Sequence, residues 1–474
     1  MRKLTATLLI LLSLTALSCA TQSVYGQSGR IVVPDNYRTI QEAIDHAPAG
    51  GTVFVKAGTY EGCLSINKSL SLIGEDKTKT TIKGGWELGG TVILVAHDGV
   101  TVRDFTIQSN AKNTHGVSIR GVHLLGVQGC TVSECVFSHI GKGIWLYQSS
   151  NNTVEGNFVD GTPRYIGTCL IYSWSGITLE GSSNNTIRSN RFTDSSQSGI
   201  EVFGSHGNNI TGNYVTSRWS GLNIEYSNGN TVADNSIKGY RYGVWLQAAA
   251  SHNTIENNSI TDSLTGIQAN WNSTNNLIVK NTITGSNYCG IEIHSNSSYT
   301  KVIANNITGN KYGIEIQTSK NNILRYNNIT GSEVIGGLFV NASENLIREN
   351  NFVGNTRQVF CSLSNNTWDA GGRGNFWSDY NGTDSNSDGV GDSPYVIDES
   401  NLDHYPLVNV VNCSDSPKIT EIANSETPEN EIPQPDSQTL IAVIIGTAVG
   451  AGLCLGTVLL YRKRRRLVNT PAQN

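Results

Sequence analysis

Little of this sequence is charged, and little of it interrupts the chain. Of 474 residues 15% are charged, prolines number 10, methionine occurs once, as Met1, and the net charge is −5. So weak an acidity leaves no basic footprint, which excludes nucleic acid as a partner. The nine cysteines contain no CxxC spacing, so the usual zinc arrangements are excluded. From Val53 to Phe137 no helical apolar period competes with the short runs TVFV, LSLIG, TVILVA, VTVRDFTI, GVHLLGV and CTVSECVF. These read as strands bounded by glycine and polar turns.

What the chain has instead is glycine, 50 of them, and a repeat. GIWL at Gly143, GITL at Gly176, GIEV at Gly199, GLNI at Gly221, GVWL at Gly243, GIQA at Gly266, GIEI at Gly290, GIEI at Gly313 and GLFV at Gly337 recur, after the first, every 22 to 24 residues. Such a period means a solenoid. Each coil adds two strands opened by asparagine, as in NTIEN at Asn253 and NSITD at Asn258 after GVWLQ, so three strands make a turn. Asparagine suits corners because it tolerates left-handed backbone and because stacked amides bond one coil to the next.

Side chains alternate across a strand. One and three residues after each glycine only apolar residues occur, from Ile144 and Leu146 to Leu338 and Val340, and these columns predict the core. Two and four after, the columns mix carboxylates, amides and aromatics: Trp145, Tyr147, Thr178, Glu180, Glu201, Phe203, Asn223, Glu225, Trp245, Gln247, Gln268, Asn270, Glu292, His294, Glu315 and Gln317. The competing reading of such a face is ordinary solvated polarity. Aromatic faces stack on sugar rings while amides and carboxylates take hydroxyls, so carbohydrate binding is expected at Trp145, Tyr147, Glu201, Asn223, Glu225, Trp245, Gln268, Glu292, His294 and Glu315. Glu292 and Glu315 fall at the same place in consecutive coils, about 5 Å apart, and Glu180, Glu201 and Glu225 form a diagonal cluster. Like charges that close raise one pKa or call in a cation, so Glu292, Glu315 and Glu201 are the catalytic candidates.

The ends carry addresses. Arg2 and Lys3, the apolar run Leu4 to Leu17 and Ser18-Cys19-Ala20 predict an export signal, with lipidation at Cys19 competing although Ala16 stands where a lipobox has Leu. Near the other end no charge interrupts Thr439 to Tyr461, which at about 1.5 Å per residue spans a hydrocarbon core of about 30 Å. Arg462-Lys463-Arg464-Arg465-Arg466 follows and places the tail in the cytoplasm, the rest outside. Cys63, Cys130, Cys135, Cys169, Cys289, Cys361 and Cys413 then lie outside; their odd number leaves one unpaired. They read as small hydrophobes stacked inside the coil or, for Cys130 and Cys135, as a local bridge. Sequons at Asn67, Asn151, Asn184, Asn209, Asn257, Asn272, Asn296, Asn306, Asn328, Asn341, Asn365, Asn381 and Asn412 fit a glycosylated surface protein.

Thr39 with Glu42 is a capping box for a short helix whose face is Ile40, Ala43 and Ile44, covering the open end of the strands. At the far end Asp384, Asn386, Asp388, Val390 and Asp392, with Gly389 at the turn, follow the start of a structural calcium loop, though Tyr395 stands where an EF-hand has Glu. Asp398 is a nearby carboxylate to complete it. The chain is thus divided into a signal peptide (1–20), an N-terminal cap and first coils (31–100), β-helix repeats (101–355), a C-terminal cap (356–412), an acidic proline-containing stalk (413–438), a transmembrane helix (439–461) and a basic cytoplasmic tail (462–474).

VPDNYRTIQEAIDHAPAGGTVFVKAGTY, the GIxL/NxI/NxI coils and GNFWSDYNGTDSNSDGVGDSPYVID together resemble the NosD-like proteins of the pectin lyase-like superfamily, over roughly Ile31 to Leu407. The resemblance implies an all-β, right-handed parallel β-helix outside the cytoplasm and, for NosD itself, a periplasmic part in copper-enzyme maturation. Here Met1 is the single methionine and His206 and His252 stand two coils apart, so copper is not the expected cofactor. The expectation is a membrane-anchored extracellular β-helix that binds carbohydrate or builds the cell surface, partnered by glycans or a surface polymer. A polysaccharide lyase or glycoside hydrolase is the alternative, and a copper-related maturation factor the next.

Overall fold

The computed structural model describes residues 30–85, 90–109, 119–161 and 175–413, and the backbone alone of 164–166 and 169–171. The expected signal peptide, transmembrane segment and basic tail, and nearly all of the stalk, lie outside these residues. Among the described residues no helix is long and apolar enough to cross a membrane.

The chain winds into a right-handed type of parallel β-solenoid with three long sheets of 14, 13 and 14 strands, each coil giving one strand to each sheet in turn. In the regular coils the 13-stranded sheet takes the glycine strands, such as Tyr242–Gln247, and the other two take Thr254–Glu256 and Ser259–Thr261. Register is kept residue for residue: Ile200 pairs Leu222, which pairs Val244, which pairs Ile267. The two apolar columns from Ile144 to Ile316 are fully buried, as expected. Each such residue adds about 2 kcal/mol by leaving water.

The repeat glycine has a steric cause. A Cβ on Gly243 would lie 2.4 Å from a methyl of Ile260 and 2.5 Å from the carbonyl oxygen of Gly266. The corner therefore closes only where the side chain is hydrogen. At the end of the repeat the expected assignment is one residue out. Gly313 is followed by Gly336 rather than Gly337, since Ile314 pairs Gly337 and Ile316 pairs Phe339. Gly337 and Phe339 face inward, and Leu338 and Val340 are half-exposed on the outside. With two adjacent glycines the sequence offers two frames, and only strand pairing selects one; a one-residue slip exchanges the faces. The stack also continues past residue 355, through Val359–Ser362 and Phe376–Trp377.

Corners are held by asparagine, by a division of labour the sequence does not display. The left-handed residue is the one before the asparagine, whatever its type: Asp234 at φ 56°, His252 at 58° and Lys280 at 55°. The asparagines themselves are buried and form two ladders. In one, Asn213, Asn235, Asn258 and Asn281 each donate Nδ2 to the next Oδ1 at 2.9 to 3.0 Å, and each also donates to a core-side carbonyl such as Val232 for Asn258. A buried backbone group needs a partner, and an amide carries both donor and acceptor. The other ladder runs through Asn185, Asn208, Asn230 and Asn253.

Cys130 and Cys135 start these ladders, their backbone N–H groups donating to Oδ1 of Asn152 and Asn157. They stand on separate corners as free thiols, so the local bridge does not form; burial pushes the Cys135 thiol up to about 12. At the other end the cap closes both ladders. Asn401 Oδ1 accepts from the Asn366 N–H and from Trp368 Nε1, each at 3.0 Å; Asp403 Oδ2 accepts from the Asn375 N–H at 2.7 Å and Trp377 Nε1 at 2.8 Å. The opposite end is covered by the helix Ile40–His46. Its capping box is present with both bonds at 3.2 Å, and Ile40, Ala43 and Ile44 are buried.

Candidate functional site

The outward side of the 13-stranded sheet is a strip two side chains wide per coil, since each strand there sends alternate residues out. Its first column runs His123, Trp145, Thr178, Glu201, Asn223, Trp245, Gln268, Glu292, Glu315. The second contains Tyr147, Glu180, Phe203, Glu225 and Gln247, then His294 and Gln317. Thr178, Gln247, Gln268, Asn270 and Glu315 are under 9% exposed, so this is no freely solvated face.

At the N-terminal end Trp145 is packed over. The His123 ring stacks on it at 4.5 Å, the Arg120 guanidinium lies 4.2 Å from the ring centre, and Tyr147 tilts against it at 5.3 Å. Burial, then the Arg120 charge, lowers the His123 pKa to about 4, so that imidazole is neutral at pH 7. In the middle the diagonal carboxylates lie on three consecutive strands as expected. Thr178 Oγ1 donates to Glu201 at 3.3 Å, and burial, with Glu201 beside it, raises the Glu225 pKa. Gln247 donates to Asn223 at 2.9 Å, and Tyr242 stacks on Trp245 at 4.6 Å.

The C-terminal end is the most ordered. Gln268 Nε2 donates to Glu292 Oε2 at 2.6 Å and Thr265 Oγ1 to the same oxygen at 3.3 Å. Tyr288 OH donates to Glu315 Oε2 at 2.6 Å, and His294 Nε2 lies 3.7 Å from Glu292 Oε1. Both carboxyls are shifted upward, but the first cause is burial; the Glu292 charge is a lesser contribution to Glu315. Like-charge repulsion is therefore not what dominates this pair. Burial also lowers His294, leaving it neutral at pH 7, and raises the Tyr288 phenol, which stays protonated.

Sequence reasoning confined to the two outward columns missed the rims. Trp219, Tyr240, Leu264 and Tyr288 stand on the corner entering the sheet, and Tyr226 and Trp271 on the corner leaving it. Trp219, Tyr226, Tyr240 and Trp271 expose 42, 54, 79 and 55% of their surface. Arg241 lies 4.3 Å over Trp219, and Phe203 meets Tyr226 edge-on at 5.7 Å. The signal was available as aromatics one or two positions before the repeat glycine, at Trp219, Tyr242, Tyr288 and Tyr312. The result is a polar strip bordered by exposed aromatic side chains.

Elsewhere, the loop from Asp384 to Asp392 is closed by its own bonds. Asp384 accepts from the N–H groups of Asp388 and Gly389 at 3.2 and 3.0 Å, and Asn386 Nδ2 donates to Asp388 at 2.9 Å. Asp392 Oδ2 accepts from Thr383 and Ser385, which lowers its pKa. Among the described residues no three His, Cys, Asp or Glu side chains form a metal-holding group. All the sequon asparagines are exposed except Asn328, which is half-buried.

Compared with known proteins, the sequence matches the family described as "Periplasmic copper-binding protein (NosD)" over residues 45–238 and 199–382, well over half of its length. The chain belongs to the NosD family. Two curated relatives, both called "Probable ABC transporter binding protein NosD", match over shorter stretches. That of Stutzerimonas stutzeri is 37% identical over 109 residues, 22% of this chain and 24% of the relative; that of Pseudomonas aeruginosa is 36% identical over 101 residues, 20% and 23%. The matches thus span about a quarter of each relative. Two solved structures share the fold: a GH87 alpha-1,3-glucanase catalytic domain in complex with nigerose (TM-score 0.51, 16% identity, 72% of this chain, 69% of that chain) and a bacteriophage tailspike mutant in complex with a pentasaccharide (0.53, 13%, 70%, 72%).

The family description raises copper, and several of the donors among the described residues do not suit it. Copper takes thiolate, thioether and imidazole ligands. Here Cys130, Cys135 and Cys289 are buried with their pKa values raised by burial, Met1 is the single thioether, and His123 is stacked on Trp145. His206 accepts the Asn228 N–H at 3.0 Å on an exposed corner.

Proposed function

We propose that this NosD-family protein is an extracytoplasmic glycan-binding solenoid, held to the membrane by Thr439–Tyr461, whose trough along the 13-stranded sheet takes an extended saccharide chain. The observation that carries the reading is the pairing of hydrogen-bonding floor residues, Glu201, Asn223, Glu225, Gln268 and Glu292, with exposed aromatic edges at Trp219, Tyr226 and Trp271. Floor amides and carboxylates meet hydroxyls, and the edges offer ring faces. Trp145 and Trp245, each already stacked on by a neighbouring ring, contribute shape to the floor while the rims supply the more exposed rings, Trp219 with Arg241 over its ring. A soluble scaffold at the cell surface would have no need of so regular an aromatic border.

The test is affinity electrophoresis of the full chain in detergent through gels carrying different polysaccharides. Retardation that Trp219→Ala and Tyr226→Ala each weaken about tenfold supports the reading. Free migration in every gel would leave a structural role at the surface.

A further inference from the structure

Within the trough one place differs from the rest. Glu292 and Glu315 are direct partners on adjacent strands of the outward column, and the strands are about 4.8 Å apart. Side chains borne on strands at that spacing suit the separation of about 5 Å used for cleavage with retention of configuration. Each is fixed through one oxygen: Gln268 and Thr265 donate to Oε2 of Glu292, Tyr288 to Oε2 of Glu315.

A second feature points to a ligand. Trp245 Nε1 and Asn270 Oδ1 are buried and have no hydrogen-bond partner. Trp245 stands in the same outward column, one strand before Gln268, and Asn270, 4% exposed, donates its Nδ2 to Gln268 Oε1 at 3.0 Å. An unsatisfied donor and an unsatisfied acceptor beside the chain of bonds leading to Glu292 are met together by hydroxyl groups, which both accept and donate.

We propose that Glu292 and Glu315 form a retaining glycosidase centre at this end of the trough, an inference that rests on the trough holding a saccharide. Glu292 Oε1 attacks the anomeric carbon while the Glu315 carboxyl gives its proton to the departing glycosidic oxygen. The carbon–oxygen bond breaks and a glycosyl ester forms on Glu292. Glu315, now a carboxylate, takes a proton from water, whose oxygen displaces Glu292; the net reaction consumes one water and restores both carboxyls. The donors on Glu292 favour its ionised form. Burial raises both carboxyls and hydrogen-bond donors oppose it on each; what differs is the Glu292 charge, which adds to the rise at Glu315 and places the proton there. Tyr288 is a positioning residue, keeping Oε2 of Glu315 engaged so that Oε1 carries the proton.

The full chain in detergent is incubated with α- and β-glucans, galactan, mannan, xylan and chitosan, reading new reducing ends, while electrophoresis through the same polymers reads binding. The expected result is cleavage of a polymer that retards the protein, with the anomeric configuration kept in the first product by NMR. Glu292→Gln and Glu315→Gln each slow cleavage by about 10²-fold or more while the urea midpoint stays unchanged. Azide restores turnover to Glu292→Ala, which a structural role for Glu292 would not produce. Retardation without reducing ends overturns the centre and leaves the binding reading. Neither retardation nor cleavage overturns both, and unchanged rates in the glutamine variants overturn the assignment of these two residues.

Discussion

From coil to coil one ladder sets the same amide at the same corner, Asn190, Asn213, Asn235, Asn258, while over those coils the first outward column changes from Glu201 to Asn223 to Trp245 to Gln268. Both rows follow one axis and one period, and both are hydrogen-bonded. They differ in what a neighbour demands. A ladder amide accepts from the coil before it and donates to the coil after it, so any other residue fails two coils at once. A strip residue meets its neighbours through few contacts, and Glu, Asn, Trp and Gln all fit. Uniformity here reports folding, and variation reports freedom left for a ligand.

That contrast breaks first where the ladder is cut. Asn258→Ala removes the amide that bonds Asn235, Asn281 and the Val232 carbonyl, and leaves buried groups unpaired. The expected loss is about 4 kcal/mol, read as a fall in the urea midpoint. A loss below about 1 kcal/mol would mean that the amides are as replaceable as the strip. The ladder's end comes next. Burial raises Asp403 to about 6, above the ordinary carboxylate value of 3.8, against hydrogen bonds from Asn375 and Trp377. A raised folded pKa means that the native state binds the proton more tightly than the unfolded chain. The stabilisation is therefore full below about pH 4 and is lost as pH rises through about 6. Between pH 7 and pH 4.5 it amounts to about 2 kcal/mol, and Asp403→Asn should erase that part of the pH dependence.

Smaller effects sharpen the outer half of the comparison. If the loop at Asp384 gathers around calcium with the millimolar affinity of extracellular modules, about 5 mM Ca²⁺ adds about 1 kcal/mol, and Asp384→Ala with Asp388→Ala removes it. A midpoint indifferent to Ca²⁺ and to EGTA would mark the loop as a turn closed by its own bonds. Smallest in stability is Trp219→Ala on the rim, expected to shift folding by under about 0.5 kcal/mol. The same change should weaken glycan retention about tenfold, the worth of one aromatic platform. A rim variant that unfolds the coil would erase the distinction between the two rows.

How far the sequence discloses this depends on how local each cause is. The glycine period, the apolar columns and the capping box at Thr39 and Glu42 follow from spacing alone, and they hold. Gly336 and Gly337 are indistinguishable until a neighbouring strand chooses between them. The asparagine corners are visible as composition, but the left-handed turn and the ladder fall on successive residues, and only burial separates Asn257 from Asn258. In the site, the carboxylate column Glu292 and Glu315 is legible from the repeat. The rim aromatics escape because they lie in corners rather than in the strand pattern. Trp368 and Trp377 find Asn401 and Asp403 across a stretch of chain whose path no local pattern records.

The ladders also carry a direction. Each amide donates toward the C-terminal end, the first rungs meet Cys130 and Cys135, and the last meet Asn401 and Asp403. Both termini are therefore specialised, whereas every rung between them is interchangeable with the next. A duplication or deletion of one whole coil leaves both ends intact and changes only how many saccharide-sized steps the outer trough offers. Length, in this architecture, is a trait that evolution adjusts in units of one turn.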